Sequence, residues 1–530
     1  MMGNKKLQVW LPLLFSIVMI VGMLFGYNLG SQSGNSKGFF SSNSRSSLQE
    51  AVDLIKLRYV DSVRIDSLEG RAIQEMMGEL DPHSVYFPPF DLKAANEDLA
   101  GNFEGIGVQF NIFSDTVNVV YVMPNGPSDK AGLQIGDKIL AVNNVPLTYK
   151  VANIDSIKKY IRGERGSKAV MQILRGSKIQ SITVTRGTIP VSSVDAAYMV
   201  DKITGYIKLN KFTENSYEEF MQAMENLQKQ GLKSLVFDLR GNGGGFMNEA
   251  VDMADEFLEG DKLVVYTEGV NSKKREYRCK RPGLFEKGKL ILLVDELTAS
   301  ASEVLAGALQ DWCRATIIGR RTFGKGLVQE QYPLSDGSAI RLTIARYYTP
   351  LGRSIQRSYQ KGKKVYMDEL WDRYSSGEML SADSLKIHNT GKIFTTSCKD
   401  TLFGGDGITP NIFVPIDTSR AMQKMLRLVS DGKFNSYIYN YFLQHKQQIE
   451  QYPAATDYAN NFNGADILNN IINAAPDSLR LKMFSVQEKA LLQQRLKASL
   501  ARYKWRESGF YQVLNNEDIV FKKAIEQLAK

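Results

Sequence analysis

The stretch "LTASASEVLAG", residues 297–307, sets three hydroxyl side chains, Thr298, Ser300 and Ser302, among alanines directly after the apolar run "KLILLVDE". Ala301, Val304, Leu305, Ala308, Leu309 and Trp312 then recur at helical spacing. Ser300 is thereby set at a helix start, where unpaired amides and the positive end of the helix dipole collect. A hydroxyl there has two uses. It can be an N-cap, the common role of serine at that position. It can also be a nucleophile on a sharp strand-to-helix turn, and the small neighbours Ala299 and Ala301 leave room for a substrate carbonyl. The glycines that flank the serine in the hydrolase version of that turn are absent.

A serine nucleophile needs a base. The chain has 3 histidines, His83, His388 and His445, and none follows a strand of the alternating region that carries Ser300. A Ser-His-Asp triad therefore fits poorly, and lysine is the other option. Lys325 in "RRTFGKGLVQEQYPL" stands between two glycines after the strand-like "ATIIG", where the backbone can approach closely and aim the side chain inward. A free lysine is neutral at pH 7 in only about one molecule in 2,500, a penalty of about 4.6 kcal/mol. Lys325 can act as base only if burial lowers its pKa by several units; otherwise it is an exposed loop lysine. The glycine cluster in "DLRGNGGGF", residues 238–246, ends a strand and opens a helix. Its amides, with that of Ala301, would make a two-donor oxyanion hole, the alternative being a structural turn.

Three look-alikes fail on detail. "GRRTFGK", residues 319–325, has phosphate-loop spacing, but Gly326 stands where a serine or threonine should hold magnesium and no helix follows. The glycine cluster breaks dinucleotide spacing at Phe246. "SYQK", residues 358–361, matches the S-x-x-K of penicillin-recognising enzymes by spacing alone.

The elements that must position these groups follow from pattern. The 530 residues have room for about three or four domains. With 43% apolar and 23% charged residues the composition is globular, and a net charge of +9 without basic blocks argues against nucleic-acid binding. Residues 7–25, "LQVWLPLLFSIVMIVGMLF", carry no charge and approach the ~20 residues that cross a bilayer as a helix. Lys5 and Lys6 should stay cytoplasmic. A cleaved signal peptide is the rival reading, but no A-x-A-like site follows. Residues 30–47 are a polar tether. Residues 48–101 carry two helical patterns, one with Leu68, Ile73, Met76, Met77 and Leu80 on a face. Short strands and glycine turns fill residues 102–186. From Val191 to about Asp417 strands alternate with helices, which predicts a largely parallel or mixed α/β sheet. A hairpin is expected at Asp336-Gly337, a patternless polar insertion at residues 361–401, and charged helices after Thr418. Cys279, Cys313 and Cys398 imply no disulfide framework; one pair can form outside the cytoplasm, and spacing does not say which.

In this order, "LDPHSVYF", "GIGVQF", "GLQIGDKILAVNN", "GYIKLNKF", "DLRGNGGG", "TASASEVLAGALQD", "GRRTFGKGLVQ", "LTIARYYTPLGRSIQ" and "GITP" resemble the carboxyl-terminal processing (tail-specific) serine peptidases, over about residues 80–410. The resemblance, set among the flanking segments read above, implies a multidomain α/β fold. Its parts are a transmembrane signal-anchor with a cytoplasmic end (1–27), a linker (28–47) and an N-terminal helical region (48–101). A PDZ domain (102–187), a peptidase core (188–417) and a helical extension (418–530) follow. It implies Ser300 as nucleophile, Lys325 as general base and Gln329 as the residue that orients the amine. Backbone amides of Ala301 and Gly244 would form the oxyanion hole. Gly105, Ile106 and Gly107 would receive a substrate's C-terminal carboxylate while the tail adds as a strand. Arg162 would link the occupied PDZ domain to the active site. "GITPN" departs from the family with Asn411 where aspartate is usual.

The function expected is a serine endopeptidase of the inner membrane, single-pass, its catalytic domain facing the periplasm or the exterior. It would cut proteins near their C-termini and need no metal or organic cofactor. Its partners would be protein tails and the membrane, with homo-oligomerisation left open. The alternative is an inactive PDZ scaffold that binds C-termini without cutting, against which intact Ser300, Lys325 and Gln329 argue.

Overall fold

The structure, a computed structural model, describes residues 15–23, 46–147, 153–384, 391–474 and 484–530. The chain divides into two compact units, Met1–Ile73 and Gln74–Lys530. In the first, residues 15–23 are helical and exposed, and most of the expected membrane span lies outside the described residues. Among the described residues no helix is long and apolar enough to cross a membrane. A helix Ser47–Arg58 starts where the Ser46 hydroxyl accepts from the Gln49 amide, and it buries no residue. The helix Ile65–Leu80 ends before Pro82. Of the apolar face read there only Met77 is buried; Met76 and Leu80 are exposed. A third helix, Pro89–Ala100, was hidden by its two leading prolines. Proline is tolerated at a helix's first turn because its missing N–H would have no partner there.

In the second unit, residues from Asn102 form a compact β domain. Its sheet runs in the order Val108–Phe113, Thr116–Val122, Lys138–Val142, Lys168–Arg175, Lys178–Thr185, with Val145–Pro146 also paired to the third of these. The last two strands form a hairpin that turns at Gly176. The strand Val108–Phe113 is the sheet edge, and the helix Ile154–Ile161 packs its Ile157 and Ile161 into the same core as Val117, Ile139 and Met171.

The α/β core is a six-stranded sheet in the order Val194–Met199, Thr204–Leu209, Ser234–Asp238, Lys289–Val294, Thr316–Gly319, Ile412–Phe413. All neighbours pair in parallel except the first two strands. Thr204–Leu209 and Ser234–Asp238 are buried along their whole length, as a parallel sheet covered on both faces requires. The helices Ser216–Lys229, Met247–Asp255 and Ala301–Asp311 cover one face through Phe220, Met253 and Leu305 against Phe237 and Leu292. The other face packs Tyr206, Val236 and Ile318 on Val520, Phe521 and Ala524 of the C-terminal helix Ile519–Leu528. The extension after Thr418 is therefore part of the core's packing.

The strand-like "KLVVYTE" lies within the alternating region but leaves its sheet. As Leu263–Gly269 it joins an antiparallel sheet with Val85–Phe87, Ala339–Tyr348 and Ser272–Arg278. Leu327–Pro333 pairs with Ala339–Tyr348 in the hairpin expected at Asp336-Gly337. The insertion read as patternless contains a helix, Lys363–Ser375, and a small hairpin of Ile393–Thr395 and Thr401–Phe403. A Cys313–Cys398 disulfide ties that hairpin to the core, and Cys279 is free and buried.

Candidate functional site

Three neighbouring parallel strands end on the same side of the sheet, and each delivers one component. After Ser234–Asp238 comes the glycine turn, after Lys289–Val294 the Ser300 turn, and after Thr316–Gly319 the Lys325 loop. Ligands of open α/β sheets bind outside those carboxyl ends.

Ser300 adopts φ +56°, ψ −117°, a conformation rare for a residue with a side chain. Its carbonyl accepts the amides of Glu303 and Val304 at 2.8 and 3.0 Å. The turn is thus a strained elbow and not the relaxed extended N-cap that most helix-start serines adopt. Among the described residues the Ala301 amide meets no acceptor. The glycine turn is stapled to this elbow, because the Asn242 carbonyl accepts the Ala299 amide and the Ser302 hydroxyl, both at 3.0 Å. Gly244 has φ +97°, and a Cβ there would lie 2.7 Å from Ser300 Cβ and 2.9 Å from the Ala301 nitrogen. Only glycine fits this approach. The Gly244 amide donates to Asn242 Oδ1 at 2.9 Å in this state.

Glu303 escaped the sequence reading and organises the site. Fully buried, it accepts the Ser300 amide at 2.9 Å, the Gly324 amide at 2.7 Å, the Lys325 amide at 2.9 Å and the Thr322 hydroxyl. Burial pushes its carboxyl above the ordinary range while these donors pull the other way. The signal was present: Ser300 and Glu303 have capping-box spacing, S-x-x-E. Tyr347 adds a second tie, its hydroxyl donating to the carbonyls of Ser300 at 3.0 Å and Lys325 at 2.6 Å. Arg373 of the insertion helix supports the same loop through the carbonyls of Thr322 at 2.8 Å and Phe323 at 3.2 Å. Glu303→Ala would leave four donors, two of them fully buried, without this acceptor, and we expect a loss of about 2–4 kcal/mol of stability. It would be read as a lower denaturant midpoint at unchanged slope, with Glu303→Gln in between because it keeps one acceptor oxygen.

Ser300, Ala301, Gly244, Lys325 and Gln329 line one cavity of about 570 Å³ together with Arg341 and Tyr347. Burial, then the charge of Arg341, lowers the Lys325 amine to about 8; Glu303 and Asp81 oppose the shift. Gln329 follows Lys325 on the strand Leu327–Pro333 and donates to Thr343 Oγ1 at 3.3 Å. Neither described histidine lines the cavity. His83 bonds the Tyr366 hydroxyl at 2.9 Å, and burial followed by the nearby Lys325 charge lowers it to about 3. His445 pairs with the Tyr441 carbonyl at 3.0 Å, and His388 lies outside the described residues. Asn411, the departure noted above, accepts the Ile317 amide at 3.0 Å and so anchors the sheet edge.

The remaining expected residues lie in and beside the β domain. Gly105 pairs with Gly187, Ile106 is buried, and Gly107 has φ +74°; together they lead into the free edge strand. Arg162 lies outside the Ser300 cavity, stacked over Phe103 at 4.4 Å and bonded to Glu97 at 3.2 Å. Glu97 is on the helix Pro89–Ala100, whose Ala95, Asp98 and Leu99 do line that cavity.

Known proteins share these parts. The model of peptidase family S41 matches residues 203–362, a PDZ domain model residues 119–175, and a family of unknown function (DUF8443) residues 425–506. A probable CtpA-like serine protease of Staphylococcus epidermidis is 36% identical over 293 residues, 55% of this chain and 59% of that protein, less than two thirds of its length. The carboxy-terminal processing protease CtpA of Bacillus subtilis is 33% identical over 347 residues, 65% of this chain and 73% of that protein. Among solved structures, a photosystem II D1 C-terminal processing protease is 30% identical, covering 58% of this chain and 83% of that one, with a TM-score of 0.36.

Proposed function

The chain belongs to the carboxyl-terminal processing serine peptidases of family S41, and from that membership we propose an endopeptidase that grips protein C-termini through its PDZ domain and cuts near them. The observation that carries the reading is the shared cavity: hydroxyl, amine and backbone amides converge from three adjacent strand ends. In the reaction we assign, the neutral Lys325 amine takes the Ser300 proton as the oxygen bonds to the scissile carbonyl carbon. The oxyanion develops against the Ala301 amide, joined by Gly244 as its amide leaves Asn242. The protonated lysine returns its proton to the leaving amine, and the ester is then hydrolysed by water deprotonated by the same amine. Gln329 orients the amine by exchanging Thr343 for it. Arg162 would carry tail capture to the cavity through Glu97 and the Pro89–Ala100 helix.

The charge-free residues 7–25 behind Lys5 and Lys6 support a single-pass inner-membrane anchor with the catalytic part outside the cytoplasm. The Cys313–Cys398 disulfide supports an oxidising compartment. Mass spectrometry of envelope proteins with and without the active enzyme tests the reading. Shortened C-termini that appear only with active enzyme are the expected result. Tails that are bound yet intact would leave only the scaffold.

A further inference from the structure

The β domain's open edge faces a cavity of about 740 Å³ whose far wall belongs to the C-terminal extension. On one side lie the edge strand Val108–Phe113 and Ile154, Lys158 and Ile161 of the helix Ile154–Ile161. On the other lie residues of the helices Gly432–Glu450 and Val486–Leu514, among them Arg495, Arg502 and Arg506. The two parts are docked firmly. The buried Tyr439 donates to the Val119 carbonyl at 2.7 Å and stacks near Phe113 at 5.4 Å.

The wall carries more cations than acids, and Lys158 lies 4.0 Å from Asp155 on its own helix. Among its charged residues Lys158, Arg162, Arg495, Arg502 and Arg506 face one acid, Glu507. Glu507 is taken by Arg502 at 2.8 Å, and Arg162 is held by Glu97. Arg495 and Arg506 feel the charge of Glu507, which Arg502 already holds, but form no ion pair of their own among the described residues; they lie over the rings of Phe510 at 4.8 Å and Tyr121 at 3.6 Å. Arg506 breaks its helix at φ +58°, ψ −151°, a strained conformation that brings its guanidinium to Gln109 Oε1 at 3.1 Å. Guanidinium stays charged in such surroundings, so an anion is the missing complement.

Successive residues of an added strand point to opposite faces. Val108, Phe110 and Ile112 pack toward the domain core, whereas Gln109 and Phe113 face the C-terminal helices. Every second residue of a bound tail would therefore meet the arginines, and those between would meet apolar surface. We propose that the C-terminal extension forms the second wall of the tail-binding groove and selects protein C-termini that are acidic at alternate residues and apolar between. The proposal rests on the reading that this domain captures substrate tails, and it adds the chemistry of those tails.

The test uses the full chain carrying Ser300→Ala and short fluorescent tails with a free C-terminal carboxylate. One alternates valine with glutamate, a second replaces glutamate by glutamine, and a third shifts the glutamates by one residue. The first should bind about tenfold or more tighter than the other two, with the advantage shrinking as salt is raised. Arg495→Gln with Arg506→Gln should abolish the advantage, so that glutamate and glutamine tails bind within about twofold of each other. Arg495→Glu with Arg506→Glu should transfer the preference to a lysine-bearing tail. Equal binding of glutamate and glutamine tails by the parent chain would overturn the proposal, as would equal loss of both in the glutamine variant. Probe cleavage, read by mass in the same samples, reports on Ser300 alone, so failure of the nucleophile assignment is distinguishable from failure of the tail preference.

Discussion

Ser300→Ala should reduce peptide cleavage by about 10⁴-fold or more, the scale seen when serine peptidases lose their nucleophile. Tail binding should persist, because the β-domain groove has its own lining residues. The substitution is mild for the fold. Alanine keeps the Cβ that Ser300 already holds at φ +56°, and the Ser300 amide and carbonyl, which make the contacts to Glu303, Val304 and Tyr347, are backbone groups. Unfolding midpoints of the two chains should therefore agree within about 0.5 kcal/mol. Undiminished cleavage by the alanine variant would remove Ser300 from the mechanism.

Lys325→Met should abolish cleavage to a similar degree and, unlike Ser300→Ala, make the protein more stable at neutral pH. With the amine lowered to about 8, roughly one molecule in ten carries the neutral base at pH 7. Cleavage by the parent chain should rise about tenfold per pH unit up to about pH 8 and then level off. An inflection near 6.5 would point to a histidine, although His83, pushed down to about 3, could not supply it. The same shift has a stability sign. The folded chain holds the proton less tightly than the unfolded one, whose amine titrates near 10.5. Stability should climb as pH rises from about 8 toward 10.5, and below about 8 that contribution is lost. Methionine fills the same space without a charge, so the pH-dependent rise should vanish and the midpoint at pH 7 should increase. A variant with an unchanged pH dependence would mean that the amine is solvated in the parent.

Position in the fold was legible in the sequence where the signal lies among neighbours in the chain. Ser300 follows an apolar strand and precedes a helical pattern, Lys325 sits between glycines, and the glycine cluster closes another strand; each signal occupies a few residues. Glu303 carried a local signal too, but its work of joining Ser300 to Gly324 and Lys325 is done across two loops. Arg341 and Tyr347 carried none. They reach the cavity from a hairpin in a different sheet, and no periodicity records which residues a hairpin aims at a distant strand end. The insertion helix Lys363–Ser375 was missed for a related reason: it buries only Tyr366 and Arg373, and an arginine core position looks like surface.

The sequence by itself determined the family, the order of the domains and the candidate nucleophile and base, because strand ends, turns and helix starts are written in short-range residue choice. The tertiary structure alone decided how deeply the Lys325 amine is buried, since desolvation depends on atoms brought from elsewhere in the chain. It also decided that the C-terminal helices close over the β-domain groove, because packing between segments hundreds of residues apart is set by shape and burial and leaves no mark in local spacing.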